Sequence, residues 1–123
     1  MRNLCLLLTA YCLLFLSSCN YPTKASIEKV SPSGKVKVNI EANRLTGLEP
    51  WKVIIKVKAY NFKEGQLSAE IISNELDDKT VVFSWFEESS ADIVFNQKDN
   101  TKRTFRLLAN AQQLQLAEIP STE

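Results

Sequence analysis

From Lys35 to Ala42 apolar and polar residues alternate without a break. Val36, Val38, Ile40 and Ala42 fall on one side, Lys35, Lys37, Asn39 and Glu41 on the other. A period of two is the mark of a half-buried antiparallel strand. Thr46-Gly47 and Glu49-Pro50 end it, because these pairs favour turns. Trp51 to Phe62 is the longest strand expected, with Trp51, Val53, Ile55, Val57 and Ala59 inward. Its other side carries Lys52, Lys56 and Lys58, with Ile54, Tyr60 and Phe62 among them. Before these two, Ser26 to Val30 reads as a short first strand stopped by Ser31-Pro32-Ser33-Gly34.

Glu64-Gly65 is expected to turn the chain into Gln66–Ser73, where Leu67, Ala69 and Ile71 share a face. Asn74 to Lys79 reads as a loop. Thr80 to Phe86 is apolar on both sides, Val81, Phe83 and Trp85 against Val82 and Phe86. Such a segment is expected to be a central strand, since on an edge it would template aggregation. Asp77, Asp78 and Lys79 before it and Glu87 and Glu88 after it are gatekeeping charges. Ala91 to Gln97, Lys102 to Ala109 and Gln113 to Ile119 complete the strands, with a hairpin loop at Lys98-Asp99-Asn100-Thr101. A helix across Leu107 to Leu116 is the alternative there, given its alanines and glutamines. Seven or eight short strands predict an all-β fold, a small antiparallel β-sandwich of immunoglobulin-like or transthyretin-like type. The alternative is a small up-and-down β-barrel.

The first eighteen residues follow other rules. Arg2 precedes an apolar run from Leu4 to Leu16. That is shorter than the about 20 residues a membrane-spanning helix needs, and it suits a cleavable signal peptide. It ends in Leu16-Ser17-Ser18-Cys19, which resembles the lipobox of bacterial lipoproteins. The resemblance implies cleavage between Ser18 and Cys19, lipidation of Cys19 and a membrane-anchored mature chain of 105 residues. It further implies the cell envelope. Asn20 is not the aspartate of inner-membrane retention, and no acidic residue follows through Ser26, so the outer membrane with a periplasm-facing domain is expected. Residues 1–18 are then signal peptide, 19–25 lipidated cysteine and short tether, and 26–123 one domain, a size that holds a single modest core.

Cysteine usage agrees with this. Cys5 and Cys12 would leave with the signal peptide, and Cys19 would be a thioether, so no internal disulfide is available to an exported domain that otherwise often needs one. The mature chain holds 14 basic and 14 acidic residues, yet residues 24–63 carry a net +6 and residues 64–123 a net −6. A dipolar surface is one way to read that split.

Candidate chemistry is sparse. There is no histidine, which removes His-containing zinc sites, Cys–His nucleophiles and the Ser-His-Asp triad. Gly34, Gly47 and Gly65 are isolated, so no phosphate loop is present. No catalytic residue, metal site or cofactor is expected. The acidic groups Glu75, Asp77, Asp78 and Glu87, Glu88, Asp92 lack EF-hand spacing, although sandwich loops can gather oxygen ligands for calcium. Lys52, Lys56 and Lys58 with Ile54, Tyr60 and Phe62 form the expected patch for a protein or glycan partner. The lysines alone would suit anionic lipid headgroups; nucleic acid is excluded by compartment. Two functions are therefore expected: a lipid-anchored, non-catalytic binding or structural module of the periplasm, or an inhibitor or immunity lipoprotein that plugs a hydrolase or toxin. In the second, Asp77 and Asp78 or Glu87 and Glu88 would form the plug.

Overall fold

The structure, a computed structural model, describes residues 22–60 and 63–120. The expected signal peptide, the expected cleavage site at Ser18/Cys19, Cys19 itself and Phe62 lie outside the described residues. Eight strands follow one another: β1 (Lys24–Val30), β2 (Val36–Asn43), β3 (Trp51–Ala59), β4 (Lys63–Ile71), β5 (Val81–Phe86), β6 (Ser90–Asn96), β7 (Lys102–Ala109) and β8 (Leu114–Ile119). They make two four-stranded antiparallel sheets, β1-β2-β3-β4 and β5-β6-β7-β8, here sheets A and B.

The sandwich holds, and neither sheet closes into a barrel. Each sheet is a meander of consecutive strands, so the chain changes sheets once, between Ile71 and Val81. Greek-key connections of an immunoglobulin sandwich would instead return strands to non-sequential neighbours. The alternation read from β2 and β3 sets the inner face of sheet A: Val36, Val38, Ile40, Trp51, Val53, Ile55, Val57 and Ala59 are all buried. Sheet B meets them with Val81, Ala91, Ile93, Phe95, Phe105 and Leu107. Phe95 and Phe105 pack edge to face, centroids 5.5 Å apart, an arrangement favoured by the ring quadrupoles.

Three sequence expectations are corrected. The segment apolar on both sides became β5, which is an edge strand of sheet B. Its outward Val82 is not enclosed by neighbours but begins a cross-strand row, Val82–Val94–Thr104–Ile119, on the outer face of sheet B. Outward Phe86 lies beneath the Arg106 guanidinium, 5.7 Å from its ring. A six-residue strand flanked by charge is itself a protected edge. Second, Gly65 lies inside β4 rather than in a turn. A side chain there would point at Leu114, whose Cδ2 is 3.1 Å from where a Cβ would sit. A side chain at Gly65 would require Leu114 to shift by a few tenths of an ångström. Third, β3 stops at Ala59, because Tyr60 adopts a positive φ of 54° that breaks the alternation. Residues 107–116 form the β7–β8 hairpin that the strand reading expects, not the helix of its alternative.

Ion pairs tie neighbouring strands of sheet B, Arg106–Asp92 on its outer face and Arg103–Glu118 at the rim of its inner face. Arg103 holds Glu118 at 2.7 Å through two nitrogens, and Arg106 holds Asp92 at 2.8 and 3.1 Å. Hydrogen bonds from Arg103 keep the Glu118 pKa below its ordinary 4.5, and those from Arg106 keep Asp92 below 3.8. Depressed folded-state values mean that this stabilisation is complete above the unfolded pKa and is lost as pH falls through the folded one. The melting temperature should therefore be flat from neutrality to about pH 5 and fall below about pH 4. Glu118→Gln should remove part of that acid slope in a melting series, and a slope unchanged by it would refute the assignment.

Candidate functional site

Strand direction sorts the loops to two ends. One end gathers the start of β1, the β2–β3 loop, the β4–β5 link and the β6–β7 loop; the far end gathers the other four turns. Lys98 N donates to Ile72 O, and Arg44 N to Thr23 O, which joins the elements of the first end.

The expected patch is only partly assembled. Lys52, Ile54, Lys56 and Lys58 do share the outer face of sheet A, as their period requires. Tyr60 leaves it. With φ positive, its ring packs against the core cluster and its hydroxyl meets Ser89 Oγ at 3.1 Å, at the far end. The lysine row is not an unbroken positive stripe. Register places Lys52 opposite Glu70, Lys58 opposite Glu64 and Ile54 opposite Ser68. Lys56 pairs with Glu41 at 3.1 Å, and Lys37 with Glu28 at 2.9 Å. Glu64 and Glu70 of the acidic half thus interleave with the lysines on this face, because β4, from the second half, lies beside β3. Lys37, Asn39, Lys56, Lys58, Glu64 and Gln66 line a concavity there of 430 Å³, inside the range that small ligands occupy. Asn39 Oδ1 is buried beneath it with no hydrogen-bond partner.

The acidic groups do not converge. Asp77 caps its own loop, accepting from Lys79 N at 2.8 Å and Thr80 N at 3.1 Å, which holds its pKa below 3.8. Asp78 pairs with Lys29 at 3.1 Å. Glu87 and Glu88 stand at the far-end tip of the β5–β6 hairpin, and Asp92 belongs to Arg106. Among the described residues, no group of three or more His, Cys, Asp or Glu is placed to hold a metal.

Two groupings escaped the sequence reading. At the far end Ser31, Ser33 and Ser89 form a hydroxyl chain with spacings of 2.9 and 2.8 Å, and Ser33 N donates to Glu88 O at 3.2 Å. This chain ties sheet A to sheet B, and small polar residues far apart in sequence gave no signal of it. At the other end Arg44 is only 7% exposed. Its Nε and NH2 donate to Pro22 O at 2.8 and 2.6 Å, NH1 to Ser73 O at 3.0 Å, and NH2 also to Asn74 O at 2.7 Å. The guanidinium lies 3.9 Å over the Trp51 ring. Here a signal did exist: Val36, Val38, Ile40 and Ala42 point inward, and the same step of two reaches Arg44.

No protein-family model matches the chain, and no curated protein or solved structure shows significant similarity to it.

Proposed function

We propose that the protein is a lipid-anchored, non-catalytic module of the bacterial envelope, attached through Cys19 to the outer membrane and facing the periplasm. The observation that carries this reading is the Leu16-Ser17-Ser18-Cys19 sequence followed, three residues later, by a backbone held in place by Arg44. A tether this short and fixed suits a domain that works beside its membrane. Its binding face is the outer face of sheet A, where Ile54 lies between Glu41 and Ser68 and beside the concavity lined by Lys37, Lys56, Lys58 and Gln66; interleaved charges and that concavity favour a polar protein or glycan partner.

Intact-mass analysis of protein purified from membranes tests the anchor. The expected chain starts at Cys19 and carries a diacylglyceryl thioether; an unmodified Cys19 overturns the reading. A photo-crosslinker replacing Ile54 tests the face in cells. It should give one discrete adduct that the same group replacing Val82, on the outer face of sheet B, does not.

The inhibitor reading retains one observation of its own. Glu87 and Glu88 have φ of 50° and 41°, a region disfavoured for residues with a side chain, and they form an exposed acidic tip away from the tether. In a plug-forming inhibitor, Glu87→Ala/Glu88→Ala would abolish protection while the Ile54 adduct remained.

A further inference from the structure

The β2–β3 loop, residues 44–50, carries the two most exposed large apolar side chains of the described residues: Leu45 and Leu48, each 86% exposed. Neither belongs to the core cluster or to the sheet A face. We infer that this loop is a membrane-contacting tip, which inserts Leu45 and Leu48 into the interface of the bilayer that holds the lipid. The inference rests on the anchoring reading above.

Three features of the loop point to a lipid surface. The first is position. Arg44, which begins the loop, binds the carbonyls of both Pro22 and Thr23. Cys19 is three residues before Pro22, and three residues reach at most about 10 Å. Any lipid on Cys19 therefore enters the bilayer beside this loop, and the domain cannot hold the loop far from it.

The second is backbone satisfaction. Leu45 N donates to Glu49 Oε2 at 3.3 Å, Leu48 N to Thr46 Oγ1 at 3.4 Å, and Glu49 N to Thr46 O at 3.3 Å. Unpaired amides are what bar irregular backbone from an apolar medium. Here the donors of both leucines are bonded within the loop, and the one carboxylate of the loop is turned back onto its own backbone.

The third is charge. Lys24, Asn43 and Lys52 form one exposed cross-strand row immediately above the loop. Lys98 stands exposed on the β6–β7 loop of the same end. Glu70 also faces Lys52 across β3–β4, and Asp99 is engaged with Thr101. Lysines beside an apolar tip match a headgroup layer bearing phosphates, while Glu75, Asp77 and Asp78 of the β4–β5 link carry the negative charge of the same end. Insertion would add a second attachment point to a diacylglyceryl anchor that already holds the chain to the membrane. It would also fix orientation, with the far-end Glu87/Glu88 tip pointing away from the membrane.

Full-length lipoprotein carrying Leu48→Cys, labelled with an apolar environment-sensitive fluorophore, provides the test. It is reconstituted into phosphatidylethanolamine–phosphatidylglycerol vesicles that carry a quencher on the acyl chain just below the glycerol. The control label sits at Ala111→Cys, exposed in the β7–β8 turn of the far end. Quenching of about twofold or more at position 48, with essentially none at position 111, is expected of interfacial insertion. Intact mass of the same sample reports acylation of Cys19. An acylated protein unquenched at position 48, or quenched equally at both positions, overturns the inference while leaving the anchor standing. So does a crosslinked dimer or partner adduct formed through position 48 in its place. A protein without acylation that does not bind vesicles overturns the anchoring reading itself, and the inference with it.

Discussion

Arg44→Met is expected to lower the unfolding free energy by about 2–4 kcal/mol. Removing one member of a buried, hydrogen-bonded charge arrangement leaves its partners without donors, and each such acceptor costs about 1–3 kcal/mol. The carbonyls of Pro22, Ser73 and Asn74 would all lose a charged donor. Contact with the Trp51 face would go as well, worth about 0.5–2 kcal/mol in comparable pairs. Several of these atoms border solvent, so water would recover part of the loss, which keeps the figure below the sum. Arg44→Lys should recover little, since an ammonium cannot reproduce a planar fork reaching three carbonyls. Equilibrium urea denaturation reports both variants. A loss under about 1 kcal/mol for Arg44→Met would mean that water replaces the guanidinium fully, and would refute its structural role. The variant should also become sensitive to protease near Pro22, because the same side chain secures that segment.

Trp51→Ala is expected to cost about 3–5 kcal/mol, the range for removing a fully buried large aromatic side chain. The Trp51 side chain is completely buried, among the largest in the core, and its Nε1 donates to Ser73 O at 2.9 Å. A domain of this size has about 5–15 kcal/mol in total, so the variant should be near unfolding at 37 °C. Trp51→Phe separates the contributions: it keeps most of the apolar contact and loses the indole donor, for about 1 kcal/mol. Arg44 and Trp51 both donate to Ser73 O. Their substitutions should therefore be non-additive, and a double-mutant cycle showing strict additivity would contradict the shared acceptor. Trp51→Ala losing less than about 2 kcal/mol would contradict the burial itself.

Much of sheet A was legible because its residues obey a local rule. In β2 and β3 the inner and outer sets separate by parity alone, and both the buried Val/Ile/Trp face and the exposed Lys52, Ile54, Lys56, Lys58 face follow from it. Tyr60 was misplaced by the same rule, since nothing local announces that its φ becomes positive. Arg44 was missed for the opposite reason: parity did place it inward, but an arginine at a strand end reads as loop charge unless its acceptors are known. Those acceptors, Pro22, Ser73 and Asn74, come from 22, 29 and 30 positions away. The edge position of β5 was unreadable because two-sided apolar character has two causes, neighbours on both sides or an apolar outer row. Only strand order distinguishes them.

By itself, then, the sequence determined the strands, their faces and the lipobox resemblance at Leu16–Cys19, since each depends on residues within one local stretch. Tertiary structure decided that the strands form two successive meanders and that Glu64 and Glu70 lie across from the lysine row. It also decided that the Leu45/Leu48 loop stands at the end where Pro22 and Thr23 lead into β1. These are facts of juxtaposition: they depend on which distant segments pack together, and no periodicity within a single strand encodes that.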